Sequence, residues 1–284
     1  MGNQHFLPVN GVELCVETFG TSADPAILLI MGASASMDWW PDGFCARLAS
    51  EGRFVIRYDH RDTGQSTSFP AGAPTYTSTD LTADAVGVLD ALGIDKAHLA
   101  GASMGGGIAQ ELAVDHADRV LSLTLISTSP IGLGSNDLPP ISDELRRAFS
   151  NPAPQPDWSD RSAVVEYMVA DLRPYHGSVT MNEAAWRSLV DRIIDRTTDV
   201  AASMINHWIL DDGNASQART DQIAVPTLVL HGTEDPLFPY PHGEALAAAI
   251  PGARLVPLEG VGHAELPPDV WDVAIGAIAR ITST

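Results

Sequence analysis

Gly101-Ala102-Ser103-Met104-Gly105 sets a serine between two glycines at the spacing of a nucleophile carried on a sharp turn. The apolar run before it, 97–101, reads as a strand, and 104–116 after it reads as a helix. A strand-to-helix turn of this kind strains the serine backbone, leaves no room for side chains two positions to either side, and lifts the hydroxyl above the sheet. The helix behind it adds the positive end of its dipole. Other glycine-rich readings fail on the letters: Ser103 occupies the second glycine position of G-x-G-x-x-G, and no Lys-Ser or Lys-Thr follows as a phosphate-binding loop requires.

A serine hydroxyl is a poor nucleophile at neutral pH, so a base must take its proton and a third group must hold that base. His263, in Gly260-Val261-Gly262-His263, follows the strand pattern 254–258; Asp235, in His231-Gly232-Thr233-Glu234-Asp235-Pro236, follows the strand pattern 227–231. Both loops leave the sheet edge that carries Ser103, and the order serine, acid, histidine is the one expected with such an elbow. Glu234 is the rival acid; the proline after Asp235 fixes a turn beyond it and favours Asp235. His60, His231 and His242 also flank strand ends, and structural hydrogen bonds are expected of them. Negative charge developing on a carbonyl oxygen calls for two backbone donors. Met104 N–H is one; Ala33 N–H, in the loop Met31-Gly32-Ala33-Ser34, is expected to be the other, with Gly32 allowing close approach. The charged loop Asp59-His60-Arg61-Asp62-Thr63-Gly64-Gln65-Ser66 is expected to brace the elbow. No H-E-x-x-H or cysteine/histidine cluster supports a catalytic metal, and hydrolysis by this chemistry calls for no cofactor.

The elements that must position these groups are strands at 12–18, 26–30, 54–58, 97–101, 120–127, 227–231 and 254–258, separated by helical patterns at 41–49, 78–92 and 104–116. Such alternation predicts an α/β fold, a mostly parallel doubly wound sheet. The regularity stops between about 130 and 219, where prolines at 139, 140, 152, 154 and 156 precede helical patterns at 161–173, 182–196 and 199–210. A helical cap inserted at 130–219 into a core of 1–129 and 220–284 is the expected domain plan. Trp39 and Trp40 near the oxyanion loop, with Tyr167, Trp186 and Trp208 in the cap, are candidates for a substrate pocket; packing among the cap helices is the plainer role for most of these.

A chain of 284 residues with 45% hydrophobic residues and a net charge of −20 fits a globular protein that repels phosphate backbones, so neither nucleic acid nor a membrane is an expected partner. A small-molecule ester is. No apolar run reaches bilayer length and the first residues lack a signal pattern, so a cytoplasmic enzyme is the default. Cys15 and Cys45 are expected as buried free thiols, and the oligomeric state is not set by these features.

Leu29-Ile30-Met31-Gly32, Tyr58-Asp59-His60-Arg61-Asp62-Thr63-Gly64 and Pro241-His242-Gly243, with the elbow, resemble the α/β-hydrolase family and, more narrowly, its aclacinomycin-methylesterase type. Met31 stands where the wider family has histidine, and Asp62 where it has glycine; both departures are shared with that type. The resemblance implies an α/β-hydrolase fold with an inserted cap. It implies a serine carboxylesterase with Ser103, Asp235 and His263 as triad, and Ala33 and Met104 as oxyanion donors; Ala33 stands where the methylesterase has glycine. It also suggests methyl-ester cleavage of a bulky polyketide. Serine at the nucleophile separates the chain from dehalogenases and epoxide hydrolases of this fold, which use aspartate. The same triad serves lactone, amide or carbon–carbon bond hydrolysis and cofactor-free perhydrolysis, and a ligand receptor that kept the fold without turnover is the alternative of another class.

Overall fold

Five apolar residues in succession, all buried, form a strand at Ala26–Ile30 (β3), the pattern of a strand covered on both faces. The computed structural model describes residues 2–132, 138–213, 216–263 and 266–283. Ahead of β3 run β1 (Asn3–Val9) and β2 (Val12–Phe19). After it come α1 (Asp42–Ser50), β4 (Phe54–Tyr58), α2 (Ser78–Ala91), β5 (Ala97–Ala102), α3 (Met104–Asp115) and β6 (Val120–Ile126). After a helical region the core resumes with β7 (Thr227–Gly232), β8 (Arg254–Leu258) and a final helix. Among the described residues the sheet has eight strands in the order β1-β2-β4-β3-β5-β6-β7-β8, antiparallel at β1-β2 and β2-β4 and parallel elsewhere. The α/β expectation therefore holds, and the crossing at β3 and β5 brings the loop after β3 beside the elbow after β5.

Helical region and core differ in their packing. Between β6 and β7 lie α4 (Asp143–Ser150), α5 (Arg161–Leu172), α6 (Glu183–Arg196) and α7 (Val200–Ile205). The helices after β7 are α8 (Pro241–Ala249) and α9 (Trp271–Ile281). On one face of the sheet Leu81, Val88, Leu112 and Leu246 from α2, α3 and α8 pack against Leu28, Ile56 and Leu99. On the other, Phe44 and Leu48 of α1 and Ile275 and Ile278 of α9 pack against Ile27, Leu29 and Leu230. Val164 and Met168 of α5 with Trp186, Val190 and Ile193 of α6 form a separate small core. The predicted insertion 130–219 includes 133–137 and 214–215, which lie outside the described residues.

Two elements carried no usable sequence pattern. β1 is an edge strand with most of its residues exposed, so no apolar alternation marks it. Only Leu145 of α4 is buried, and an apolar face that narrow gives no 3.6-residue signal. The helical pattern 199–210 breaks instead at Ile205, and a tighter turn at Asn206–Ile209 follows. Cys15 and Cys45 are free and buried, and burial pushes both thiols up to about 12.

Candidate active site

Ser103 has φ 52° and ψ −120°, a left-handed strained conformation at the junction of β5 and α3. The flanking glycines are there for space. A Cβ at Gly101 would stand 2.2 Å from the Gly105 carbonyl oxygen, and one at Gly105 would stand 2.2 Å from that of Ile30. The turn is tied on both sides: Ser103 N–H donates to Ile126 O at 3.0 Å, while Ser103 O accepts from Gly106 N–H at 2.8 Å and Thr128 Oγ at 2.9 Å.

The structure brings Ser103, His263 and Asp235 into one hydrogen-bonded series. His263 Nε2 lies 2.9 Å from Ser103 Oγ, and His263 Nδ1 lies 2.9 and 3.1 Å from the two Asp235 oxygens. With Nδ1–H donating to the carboxylate, Nε2 is the acceptor for the serine hydroxyl. Asp235 Oδ1 also accepts from Leu237 N–H and Phe238 N–H at 2.9 and 2.8 Å, so the turn beyond Pro236 orients the acid. Burial opposes its charge, but His263, then His231 and the Phe238 amide, hold the Asp235 carboxyl below its usual pKa. Glu234 faces away: it accepts from Ser178 N–H and Oγ at 2.6 and 2.8 Å. His263 N–H donates to Tyr175 O at 2.9 Å, and a Cβ at Gly262 would be 2.1 Å from that same oxygen.

A Cβ added at Gly32 would be 3.2 Å from Ser103 Cβ, so the loop after β3 passes close beside the serine. Among the described residues the N–H groups of Ala33 and Met104 have no acceptor. The loop after β3 is pinned by His207, which the sequence did not single out, and by His60, for which a structural hydrogen bond was expected. His207 Nδ1 accepts Ser34 N–H at 2.9 Å while its Nε2–H donates to Arg61 O at 2.9 Å, and His60 Nε2–H donates to Met31 O at 3.0 Å. Both rings are buried, which pushes the His207 pKa down and the His60 pKa to about 3, so both stay neutral. Asp62 has φ 68°, which explains why glycine is usual there. Here the aspartate side chain takes over, accepting from Phe69 N–H and Tyr76 Oη at 2.6 Å each and from Asn206 Nδ2 at 2.9 Å. Asp59 accepts from Met37 N–H and Gln65 N–H and pairs with Arg196 of α6 at 2.8 Å. His231 donates to Phe238 O at 2.7 Å, and His242 bridges Ser129 and Pro139 O at 2.9 Å each.

Above the serine lies a chamber that, with its open mouth, holds about 900 Å³. Trp39, Trp186 and Trp208 line it, together with Met31, Ser103 and His263. Two proposed pocket residues stand elsewhere. Trp40 is 1% exposed and stacks on Phe44 in the core, because the turn at Met37–Trp39 directs it under the sheet edge. Tyr167 sits edge-on to Trp158 at 5.8 Å and is absent from the lining, since its place on α5 puts it on another side from Met168. The lining adds Met168, Asp171, Leu172, Tyr175, Met204 and Leu237. Met168, Leu172, Tyr175 and Met204 were signalled only by the concentration of apolar residues between 130 and 219, and Asp171 and Leu237 had no signal. Ser34 Oγ and His176 Nε2 of the same lining are buried without a hydrogen-bond partner among the described residues.

Residues 25–266 match the model of the alpha/beta hydrolase fold family. The chain belongs to that family. It is 34% identical over 95% of both chains to the rhodomycin D methylesterase DauP of Streptomyces sp. strain C5, and 33% identical over the same shares to DnrP of Streptomyces peucetius. The enol-lactonase of Burkholderia xenovorans LB400 superposes with a TM-score of 0.74 at 26% identity, covering 99% of this chain and 100% of that one. Family and relatives agree with the expected carboxylic-ester hydrolase. No helix among the described residues is long and apolar enough to cross a membrane.

Proposed function

We propose that this α/β-hydrolase cleaves the methyl ester of a bulky, largely apolar polyketide-type acid, with Ser103 as nucleophile, His263 as general base and Asp235 holding the base. The single observation that carries the assignment is the 2.9 Å contact of His263 Nε2 with Ser103 Oγ, on a ring fixed from behind by Asp235. Ser103 Oγ attacks the ester carbonyl as His263 takes its proton. The oxyanion is held by the N–H groups of Ala33 and Met104. Collapse expels methanol, protonated by His263, and leaves an acyl-enzyme. Water then attacks with the same base and releases the acid. The segment 130–219 acts as the cap that selects the acyl group, a role supported by the tryptophans and methionines it sends into the chamber. The substrate class is suggested by the two rhodomycin D methylesterases among the relatives.

The test is methanol release from aromatic methyl esters together with labelling by a fluorophosphonate. Wild-type protein should label at Ser103, and Ser103→Ala and His263→Ala should each lose on the order of 10⁴-fold or more in kcat without a fall in Tm. Ordinary turnover by either variant would end the assignment, and faster turnover of lactones than of any methyl ester would replace the substrate class.

A further inference from the structure

Asp171 is a solvent-exposed carboxylate at the mouth of a largely apolar, aromatic chamber. It stands in the last turn of α5, near the carbonyl end of the helix, with Arg173 at the C-cap. It lines the chamber with Tyr175 and Trp208, and desolvation among these neighbours raises its carboxyl pKa even though the residue keeps a face open to water at the mouth. No side chain or backbone group among the described residues bonds to it. Arg173, two residues on, pairs with Glu183 at 3.5 Å instead. Three other acids of these helices are paired: Glu166 with Arg187, and Asp191 and Asp195 with Arg161. Asp171 alone of this group faces the chamber, and among the described lining residues it is the one carboxylate.

Four aromatic side chains, Trp39, Trp186, Trp208 and Tyr175, line the same space. Ring faces attract cations, and a carboxylate set among them completes the donor set for an alkylammonium group. The net charge of −20 favours the approach of a cation in addition. We infer that Asp171 is a specificity residue for ester substrates that carry a protonated amine, the ammonium resting against this carboxylate while the ester reaches Ser103. The inference rests on the esterase reading of Ser103. A bound ammonium supplies a charge partner that no group among the described residues offers to this carboxylate.

The probes are two methyl esters of one naphthalene carboxylic acid, one with a dimethylaminoethyl arm and one with the isosteric, neutral 3-methylbutyl arm. Calorimetric binding to Ser103→Ala protein should favour the amine roughly 10- to 100-fold, and Asp171→Asn in that background should erase the preference. In the catalytically intact protein, Asp171→Asn should lower the ratio of kcat/KM for the amine ester to that for the neutral ester by the same factor, with Tm no lower. Equal affinity for the two esters, or a loss shared by both on Asp171→Asn, would overturn the inference. Preferential amine binding without methanol release from either ester would uphold the role of Asp171 and sink the esterase reading instead.

Discussion

Around Ser103 the polar groups are tied down one by one: His263 to Asp235, Asp235 to two backbone amides, Ser34 N–H to His207, Met31 O to His60. Above it, the chamber is walled by tryptophan, methionine and leucine, and among the described residues Ser34 Oγ, His176 Nε2 and Asp171 have no hydrogen-bond partner. Hydrogen bonds fix direction as well as distance, so the rim can hold reacting atoms to within a fraction of an ångström. Apolar contacts fix volume more than direction, so the chamber can accept a family of shapes. The rim should therefore respond to substitution in kcat, and the chamber in KM.

The severest test of the rim is Asp235→Asn. An Asn side chain offers one oxygen to three donors, Leu237 N–H, Phe238 N–H and His263 Nδ1–H. If the amide nitrogen turns to the imidazole, Nε2 becomes the protonated nitrogen and can no longer accept from Ser103. We expect a fall in kcat on the order of 10⁴-fold, as in other serine hydrolases, read by steady-state methanol release. A loss below about tenfold would show that the base is oriented by something other than this carboxylate.

Acid comes next, because the rim is where neutral histidines are buried. Burial, chiefly, lowers the pKa of His60 to about 3, and it lowers those of His207 and His231 as well. Above pH 6.5 neither folded nor unfolded chains protonate these rings, and they add no pH dependence. Below it the unfolded chain takes up protons that the folded chain refuses. Each ring then subtracts up to about 1.4 kcal/mol of stability per pH unit until its folded pKa is reached. Urea unfolding at pH 7.5, 6.5 and 5.5 should show a flat region followed by a fall. Constant stability down to pH 5.5 would mean that these rings protonate without unfolding.

This contrast also explains what could be read from the residues alone. A strained backbone excludes most side chains, so Gly101 and Gly105 are forced and the elbow shows in the letters; the same holds for the turn at Pro236 that separates Asp235 from Glu234. The parallel sheet showed because its central strands are short, mostly apolar runs, β3 wholly so. Which tryptophans face the chamber did not show, since Trp39 and Trp40 are adjacent and alike in type, yet only one lines it; the tight turn that parts them has no distinctive sequence. His207 was invisible for a related reason. Its partners are backbone groups of Ser34 and Arg61, distant in the chain, and backbone partners leave no mark on residue type.

His207, in the turn after α7, is where the rim meets the helical region that lines the chamber, so it tests whether the two are separable. It is a positioning residue: it acts on the loop of Ala33 through Ser34 N–H. His207→Ala strands that donor and Arg61 O, and we expect a kcat lower by roughly 10- to 100-fold with KM little changed, because a loop displaced by about 1 Å misplaces the proposed oxyanion donor at Ala33. His207→Gln, which can both accept and donate, should recover part of the loss. A change confined to KM would place His207 with the chamber.

The smallest effect belongs to the chamber itself. Trp186 meets Trp39 at 5.4 Å between ring centroids and stacks on His176 at 4.6 Å, so Trp186→Ala removes a wall shared by three rings. Burial of an aromatic side chain stabilises the cap core as well, and truncation should cost about 3 kcal/mol or more of stability. Trp186→Phe keeps most of the ring and is the cleaner probe. It should raise KM for polycyclic esters several-fold, leave KM for a small aliphatic methyl ester unchanged, and leave kcat alone for both. If kcat falls equally for the two substrates, the wall is transmitting force to the His263 loop through Tyr175, whose carbonyl accepts His263 N–H at 2.9 Å, and the division between rim and chamber fails at that point.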